Sequence, residues 1–134
     1  YSLETKVQEA LGKCVWLKSG ANLIIESTEC LTTIDVNSAK AIKNGLSQET
    51  ILQINREAAK EISIQLRLRN LSGIIIIDFI NMENSDNEDS LLAYMKNLVT
   101  DDTITTRVID ITHLGLMELT RKKVHKHLSE QLKG

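Results

Sequence analysis

Two apolar runs that each contain a late aspartate, with a long helical pattern between them, constrain the fold of this chain more than any other feature. The first run is Leu31–Asn37 with Asp35, and the second is Gly73–Phe79 with Asp78. Between them, apolar residues recur every three or four positions, which is the spacing of an amphipathic helix. A strand, a crossover helix and a parallel strand bring the C-terminal ends of both strands to one edge of a sheet. The sequence therefore predicts that the two aspartates lie side by side.

The rest of the chain adds shorter elements to this unit. They are a helix over Leu3–Leu11, strands at Cys14–Leu17 and Leu23–Glu26, a helix over Leu91–Leu98, and strands at Arg107–Ile111 and Leu116–Thr120. The run Gly73–Phe79 is apolar on both alternating faces, which is typical of a central strand covered by helices on both sides. We therefore expect one α/β domain over residues 1–134, with a mixed β-sheet, an antiparallel meander, a βαβ crossover and helices packed on the faces of the sheet.

The composition is that of an ordinary globular domain. Hydrophobic residues make up 42% and charged residues 25% of the 134 residues. No apolar run approaches the roughly 20 residues that cross a bilayer, and the start of the chain does not have the pattern of a signal peptide. We therefore expect no membrane span and a cytoplasmic location. In that compartment Cys14 and Cys30 are most simply small buried residues on neighbouring strands.

The charge balance limits how the chain can bind nucleic acid. A net charge of −2 argues against a free-standing binder of high affinity, which usually has a basic excess. Two basic groups could still contact a phosphate backbone: Arg67 and Arg69 at the end of the crossover helix, and Arg121 and Lys122 in a cluster that continues through Lys123, His125, Lys126 and His127. Each group has a second interpretation, because cations also favour a helix C-terminus and solvated surfaces.

The predicted aspartate pair suits a hard divalent cation. Mg²⁺ keeps several waters and usually takes only one or two protein carboxylates, so Asp35 and Asp78 are sufficient. Asn37 lies two residues after Asp35, and strand alternation therefore places it on the same face, where its amide could orient a metal-bound water. The aspartates could instead only end strands and cap loops. A phosphotransfer domain with Asp35 as nucleophile is a further alternative, although the lysine and threonine helpers of such a site are missing.

Five ordered motifs that span nearly the whole chain resemble those of the ribonuclease E/G family. They are Val15–Gly20, Thr28-Glu29 followed by Thr33–Ser38, Gln65–Gly73, Ile77–Ile80 and Gly115–Arg121. The resemblance implies a DNase I-like catalytic subdomain of an endoribonuclease that hydrolyses single-stranded RNA in RNA processing and decay. It also implies that Asp35 and Asp78 bind Mg²⁺ and that Asn37 supports them, with a metal-held water as the nucleophile.

The same resemblance implies cofactors and partners. Mg²⁺ is the expected cofactor and Mn²⁺ a substitute, whereas no zinc is expected, because the family's zinc-binding cysteine pair is not found here. Family members have further domains ahead of this one, so we expect the chain to be excised from a longer protein. The expected partners are single-stranded RNA, the missing domains of the same protein, and a second protomer in the full-length protein.

Two departures from the family pattern bear on activity. Where family members have an acid followed by basic residues, this chain reads Asp102-Thr103-Ile104-Thr105, and the loss of two phosphate contacts predicts weaker RNA binding. Asn81 stands where a third aspartate is common. The lost basic pair, the acidic charge balance and the single-domain length support an alternative, in which the domain is a non-catalytic interaction module that packs with other domains and does not cut RNA alone.

Overall fold

The computed structural model describes residues 12–38 and 47–124. Its elements are β1 (Cys14–Trp16), β2 (Asn22–Ser27), β3 (Leu31–Asn37), α1 (Gln48–Leu68), β4 (Gly73–Asp78), α2 (Ser85–Val99), β5 (Thr106–Ile111) and β6 (Leu116–Arg121). The helix expected over Leu3–Leu11 and the basic residues His125, Lys126 and His127 lie outside the described ranges. Neither of the two described helices is long and apolar enough to cross a membrane.

The strands form one mixed sheet in the order β1-β2-β3-β4-β6-β5. The first three strands are an antiparallel meander, and β3 and β4 are parallel because α1 connects them as a crossover. Strand β6 pairs antiparallel with both β4 and β5, and β5 has a bulge between Val108 and Asp110. The predicted α/β class, meander and βαβ crossover are confirmed.

Local sequence signals explain where α1 begins and ends. The side chain of Ser47 accepts a hydrogen bond from the Thr50 amide, which caps the first turn. Asn70 takes the left-handed conformation with φ 50°, and the Leu71 amide then returns to the Leu66 carbonyl at 3.0 Å. Between these caps the buried positions follow the helical period, at Ile51, Ile54, Ala58, Ile62 and Leu66.

Both described helices lie on the same face of the sheet. Arg56 of α1 donates from Nη2 to Ser90 Oγ of α2 at 2.7 Å, and its guanidinium lies 5.2 Å from the centre of the Tyr94 ring. The core fills the space between these helices and the sheet. Its largest fully buried apolar side chains are Leu23, Ile34, Ile62, Leu66, Ile75, Ile77, Leu91, Met95, Met117 and Leu119.

The expectation that helices cover β4 on both sides is wrong for the described part of the chain. Ile75 and Ile77 are fully buried beneath the helices, but Ile74, on the opposite face, is 50% exposed. The reason is that the crossover α1 and the next helix, α2, pack side by side on one face. The sequence does not show which face of β4 is exposed, because isoleucine occupies both the buried and the exposed positions of the strand.

The turn before β3 passes very close to the start of β4. Gly73 has φ +84°, and a Cβ added there would lie 2.7 Å from the Cys30 carbonyl oxygen, which accepts a hydrogen bond from the Ile74 amide. Cys30 lies in this turn with its side chain exposed, and Cys14 is only half-buried in β1. The expectation that both cysteines are buried is therefore wrong, because Cys30 precedes the first residue of β3 and Cys14 lies in the edge strand of the sheet.

Candidate metal centre

Asp35 and Asp78 are direct partners in the parallel ladder between β3 and β4. Neighbouring strands lie about 4.8 Å apart, and partnered residues point to the same side of a sheet. The residues that flank the pair along each strand, Ile34 and Ile77 among them, are buried beneath the helices. The two carboxylates therefore project from the face opposite the two described helices, and both side chains are exposed. The predicted juxtaposition is present in the structure.

The two carboxylates interact electrostatically. Partial burial, and second the negative charge of Asp78, raise the pKa of Asp35 above its ordinary value. A pair that resists carrying two negative charges is relieved by a proton or by a cation placed between the carboxylates. Such an arrangement suits a cation, and binding of a cation there would depend on pH because it requires deprotonated carboxylates.

The donor set discriminates between kinds of metal. Two carboxylates and a neighbouring carboxamide are hard oxygen donors, which suit Mg²⁺ with its water-rich shell. Within residues 12–38 and 47–124, no group of three or more His, Cys, Asp or Glu side chains could enclose a metal ion. The chemistry of the two carboxylates and the carboxamide suits an open, mostly hydrated Mg²⁺ or Mn²⁺ site.

Asn37 is the last residue of β3 and lies half-buried on the same face as Asp35. Its partner in the ladder is Asn22, which is 2% exposed and whose Oδ1 accepts no hydrogen bond in the described structure. An unsatisfied buried amide oxygen beside Asn37 is available as an acceptor for an ordered water. Asn22 was not predicted from the sequence. The signal that could have indicated it is its position directly before the apolar run of the strand predicted over Leu23–Glu26.

The loop after β4 joins the aspartate pair to a concave, acidic surface. A cavity of about 430 Å³ lies between this loop, the start of α2 and the β5–β6 turn, and it is lined by Asn81, Glu88, Asp89, Asp110 and His113, among others. A smaller cavity of about 180 Å³ shares Asn81 and Glu88 and extends to Asp78. The negative charge here attracts cations to the centre and repels phosphate.

The basic residues proposed as RNA contacts lie at the other end of the sheet. Arg67 and Arg69 end α1 and are exposed, and the Nε of Arg69 donates to Gln65 Oε1 at 2.7 Å. Lys122 is exposed just beyond β6. At about 3.3 Å per residue, the start of β4 lies roughly 17 Å from Asp78. The structure therefore brings Asp35, Asp78 and Asn37 together. The basic side chains lie at a distance from them.

Arg121 has a different environment from the other cations. It is 3% exposed, and its guanidinium donates to both carboxylate oxygens of Asp102, to Asn70 Oδ1 and to the Leu71 carbonyl. Burial by itself would raise the pKa of Asp102, but hydrogen bonds from Arg121, the Ile104 amide and Thr106 lower it to about 2. A guanidinium engaged in this way is not available to a phosphate, so we assign Arg121 a structural role in place of the RNA contact expected from the sequence.

The comparison with known proteins agrees with the motifs. The model of the "Ribonuclease E/G family" matches residues 1–124. The chain is 44% identical over 132 residues to "Ribonuclease G" of Haemophilus influenzae, which covers 98% of the chain and 27% of that protein. It is 43% identical over 130 residues to "Ribonuclease E" of Synechocystis, with 97% of the chain and 19% of that protein covered. The chain thus spans about a quarter or less of the length of these relatives.

Proposed function

Because this chain belongs to the ribonuclease E/G family, we propose that it is the catalytic subdomain of a Mg²⁺-dependent endoribonuclease that hydrolyses single-stranded RNA. The observation that supports the proposal most directly is the ladder pair Asp35 and Asp78, which lies on the face opposite the two described helices. Their exposure gives an extended RNA strand access to both carboxylates. The pKa of Asp35 is raised first by partial burial and second by the charge of Asp78, and a bound cation would offset the second of these causes.

In this proposal each residue of the centre has one task. The deprotonated carboxylates of Asp35 and Asp78 hold the cation. The carboxamide of Asn37 orients the water around the cation. When bound, Mg²⁺ would polarise a phosphoryl oxygen and supply a water for in-line attack. Rigid strands set the positions of the carboxylates, and a fixed geometry of this kind is what catalysis by positioning requires.

The charge distribution suggests how RNA would be held. The surface beside Asp78 is acidic, and the exposed cations Arg67, Arg69 and Lys122 lie at the far end of β4. We therefore propose that the carboxylates engage RNA through the cation, while these three side chains make weak backbone contacts with the same strand. Further segments of the same protein and a second protomer are proposed as additional partners, since the relatives are several times longer.

The experiment that tests the proposal begins with metal binding. Mg²⁺ and Mn²⁺ are titrated into the chain while the backbone amide signals of Asp35, Asn37 and Asp78 are followed, with Asp78→Ala as the site variant. Asp101→Asn is the matched control. It also removes one exposed carboxylate, but that carboxylate is next to Asp102 in sequence, at the opposite end of the sheet from Asp78. We expect local, saturable shifts in the parent and in Asp101→Asn, and none in Asp78→Ala.

A second step connects the centre to chemistry. Asp35→Asn and Asp78→Asn should each abolish Mg²⁺-dependent cleavage of a single-stranded RNA by the protein while the fold is retained. Unchanged cleavage in both variants would refute the assignment. If neither metal nor metal with a short RNA shifts the signals of the centre, the alternative of a non-catalytic interaction module is favoured instead.

A further inference from the structure

Asn55 is a polar side chain in the middle of the buried stripe of α1. It is fully buried, with Ile51, Ile54, Ala58 and Ala59 as its buried neighbours along the helix. An amide in such surroundings is unfavourable unless its donor and acceptor are both hydrogen-bonded. The hydrogen bonds that Asn55 makes therefore indicate why a polar residue is accommodated at this position.

Both polar atoms of the Asn55 side chain bond to one residue of the loop after β4. Nδ2 donates to the Ile80 carbonyl at 2.9 Å, and Oδ1 accepts from the Ile80 amide at 3.0 Å. The other buried polar residues of α1 do not act in this way, since Ser63 bonds to Lys60 and Gln65 bonds to side chains of its own helix. The Asn55 side chain thus makes the two hydrogen bonds to the Ile80 backbone that a neighbouring strand could otherwise make.

The location of Ile80 makes this bond relevant to the metal centre. The ladders of β4 with β3 and with β6 both end at Asp78, so the sheet no longer restrains the backbone beyond that residue. Ile80 follows two residues later and is held by Asn55, and the Glu83 amide further along donates to Gln48 Oε1 of the same helix at 2.9 Å. Helix α1 therefore holds the loop at the point where β4 stops.

We propose that Asn55 is a positioning residue of the catalytic centre. Through Ile80 it fixes the backbone on the C-terminal side of Asp78, and so the direction of the Asp78 carboxylate relative to Asp35. It touches neither RNA nor the cation. Groups that bind a metal must be held to within about 0.5 Å, and residues that orient ligands change metal affinity by 10–100-fold when they are removed. This inference rests on the proposed function and adds to it the residue that orients one ligand.

The main test uses Asn55→Leu, which keeps the size of the side chain and removes both hydrogen bonds. The control is Ser63→Ala, which removes a buried hydrogen bond of the same helix that does not reach the loop. We expect Asn55→Leu to weaken Mg²⁺ binding about tenfold, measured from the amide shifts of Asp35 and Asp78. We also expect kcat for RNA cleavage at saturating Mg²⁺ to fall with little change in KM, whereas Ser63→Ala should match the parent in both.

Hydrogen exchange of the Ile80 amide in the parent protein keeps the test decisive if Asn55→Leu does not fold. A bond to a buried carboxamide predicts exchange much slower than that of an exposed loop amide, and rapid exchange would overturn the proposal. A folded Asn55→Leu with parental metal affinity and cleavage would overturn it equally. If Asp78→Asn abolishes metal binding while Asn55→Leu binds Mg²⁺ with the affinity of the parent, only this inference fails. If Asp78→Asn has no effect, the proposed function itself fails.

Discussion

Arg121 and Asp102 form an ion pair of 2.8 Å in which both side chains are almost completely removed from solvent. The same guanidinium bonds to Asn70 and to the Leu71 carbonyl, so it ties the end of β6 to the loop before β5 and to the turn after α1. One side chain thus connects three of the segments that meet at this end of the sheet. The pair lies at the opposite end of β4 from Asp78, which separates the residues that stabilise the fold from those proposed to bind metal.

Removal of Arg121 should destabilise the protein strongly. Arg121→Met leaves the buried Asp102 carboxylate without its charge partner, and such a loss typically lowers the free energy of unfolding by about 3–5 kcal/mol. Lys122→Met, one residue further on and exposed, should change it by less than about 0.5 kcal/mol. Chemical denaturation of both variants measures the difference. Equal stabilities for the two variants would show that the ion pair is not a structural element.

The pair should also determine how the protein responds to acid. The pKa of Asp102 is lowered to about 2 in the folded state, against an ordinary value of 3.8. A carboxyl group with a lowered folded-state pKa stabilises the fold above its unfolded pKa, and this contribution is lost as the pH falls from about 4 to about 2. Thermal unfolding between pH 6 and pH 2 should show that loss in the parent protein. Asp102→Asn should be less stable at pH 6, and its stability should depend less on pH across the same window.

Gly73→Ala should be more destabilising than the same change at Gly115. Both glycines have positive φ, +84° and +81°, and a side chain in that conformation costs about 1–2 kcal/mol. At Gly73 the new Cβ would also lie 2.7 Å from the Cys30 carbonyl oxygen, whereas at Gly115 nothing lies within 4 Å. Urea denaturation of the two variants separates backbone strain from steric clash. If both variants lose the same free energy of unfolding, the close approach of Gly73 to the Cys30 carbonyl does not add to the cost of a side chain.

The sequence predicted the part of the fold that depends on periodicity. The aspartate pair followed from two apolar runs and the helical spacing between them, since a βαβ unit leaves only one way to arrange the strand ends. The turn at Gly115 followed from glycine chemistry in the same way. Helix α2, in contrast, begins at Ser85, well before its first apolar residue, because Asn84 caps a polar first turn that looked like a loop.

The roles of single polar residues were not accessible from the sequence. Arg121 follows a strand and precedes two lysines, which is the pattern of an exposed basic cluster, yet its partners lie in segments far from it along the chain. Asn55 occupies an apolar stripe, and its partner Ile80 is reached only through the tertiary fold. Pairings of this kind depend on which segments meet in space, and no local pattern records them.

The last prediction concerns the trade-off between stability and metal binding at the aspartate pair. The folded-state pKa of Asp35 is raised, first by partial burial and second by Asp78. A raised carboxyl pKa means that the charged form is disfavoured in the fold, so the penalty is absent below the unfolded value of 3.8 and develops as the pH rises through the folded pKa. Asp35→Asn should therefore stabilise the metal-free protein at neutral pH, by less than about 1 kcal/mol because the site is open to solvent.

Thermal unfolding with and without Mg²⁺ at pH 5 and pH 7.5 tests both sides of this trade-off. Mg²⁺ should raise the Tm of the parent protein, and more so at pH 7.5, because a cation binds only the deprotonated carboxylates. It should leave the Tm of Asp35→Asn unchanged. A loss of stability in metal-free Asp35→Asn at pH 7.5 would mean that the charged Asp35 carboxylate stabilises the fold. The pair would then have a structural role at the ends of β3 and β4, and the electrostatic argument for a metal centre would fail.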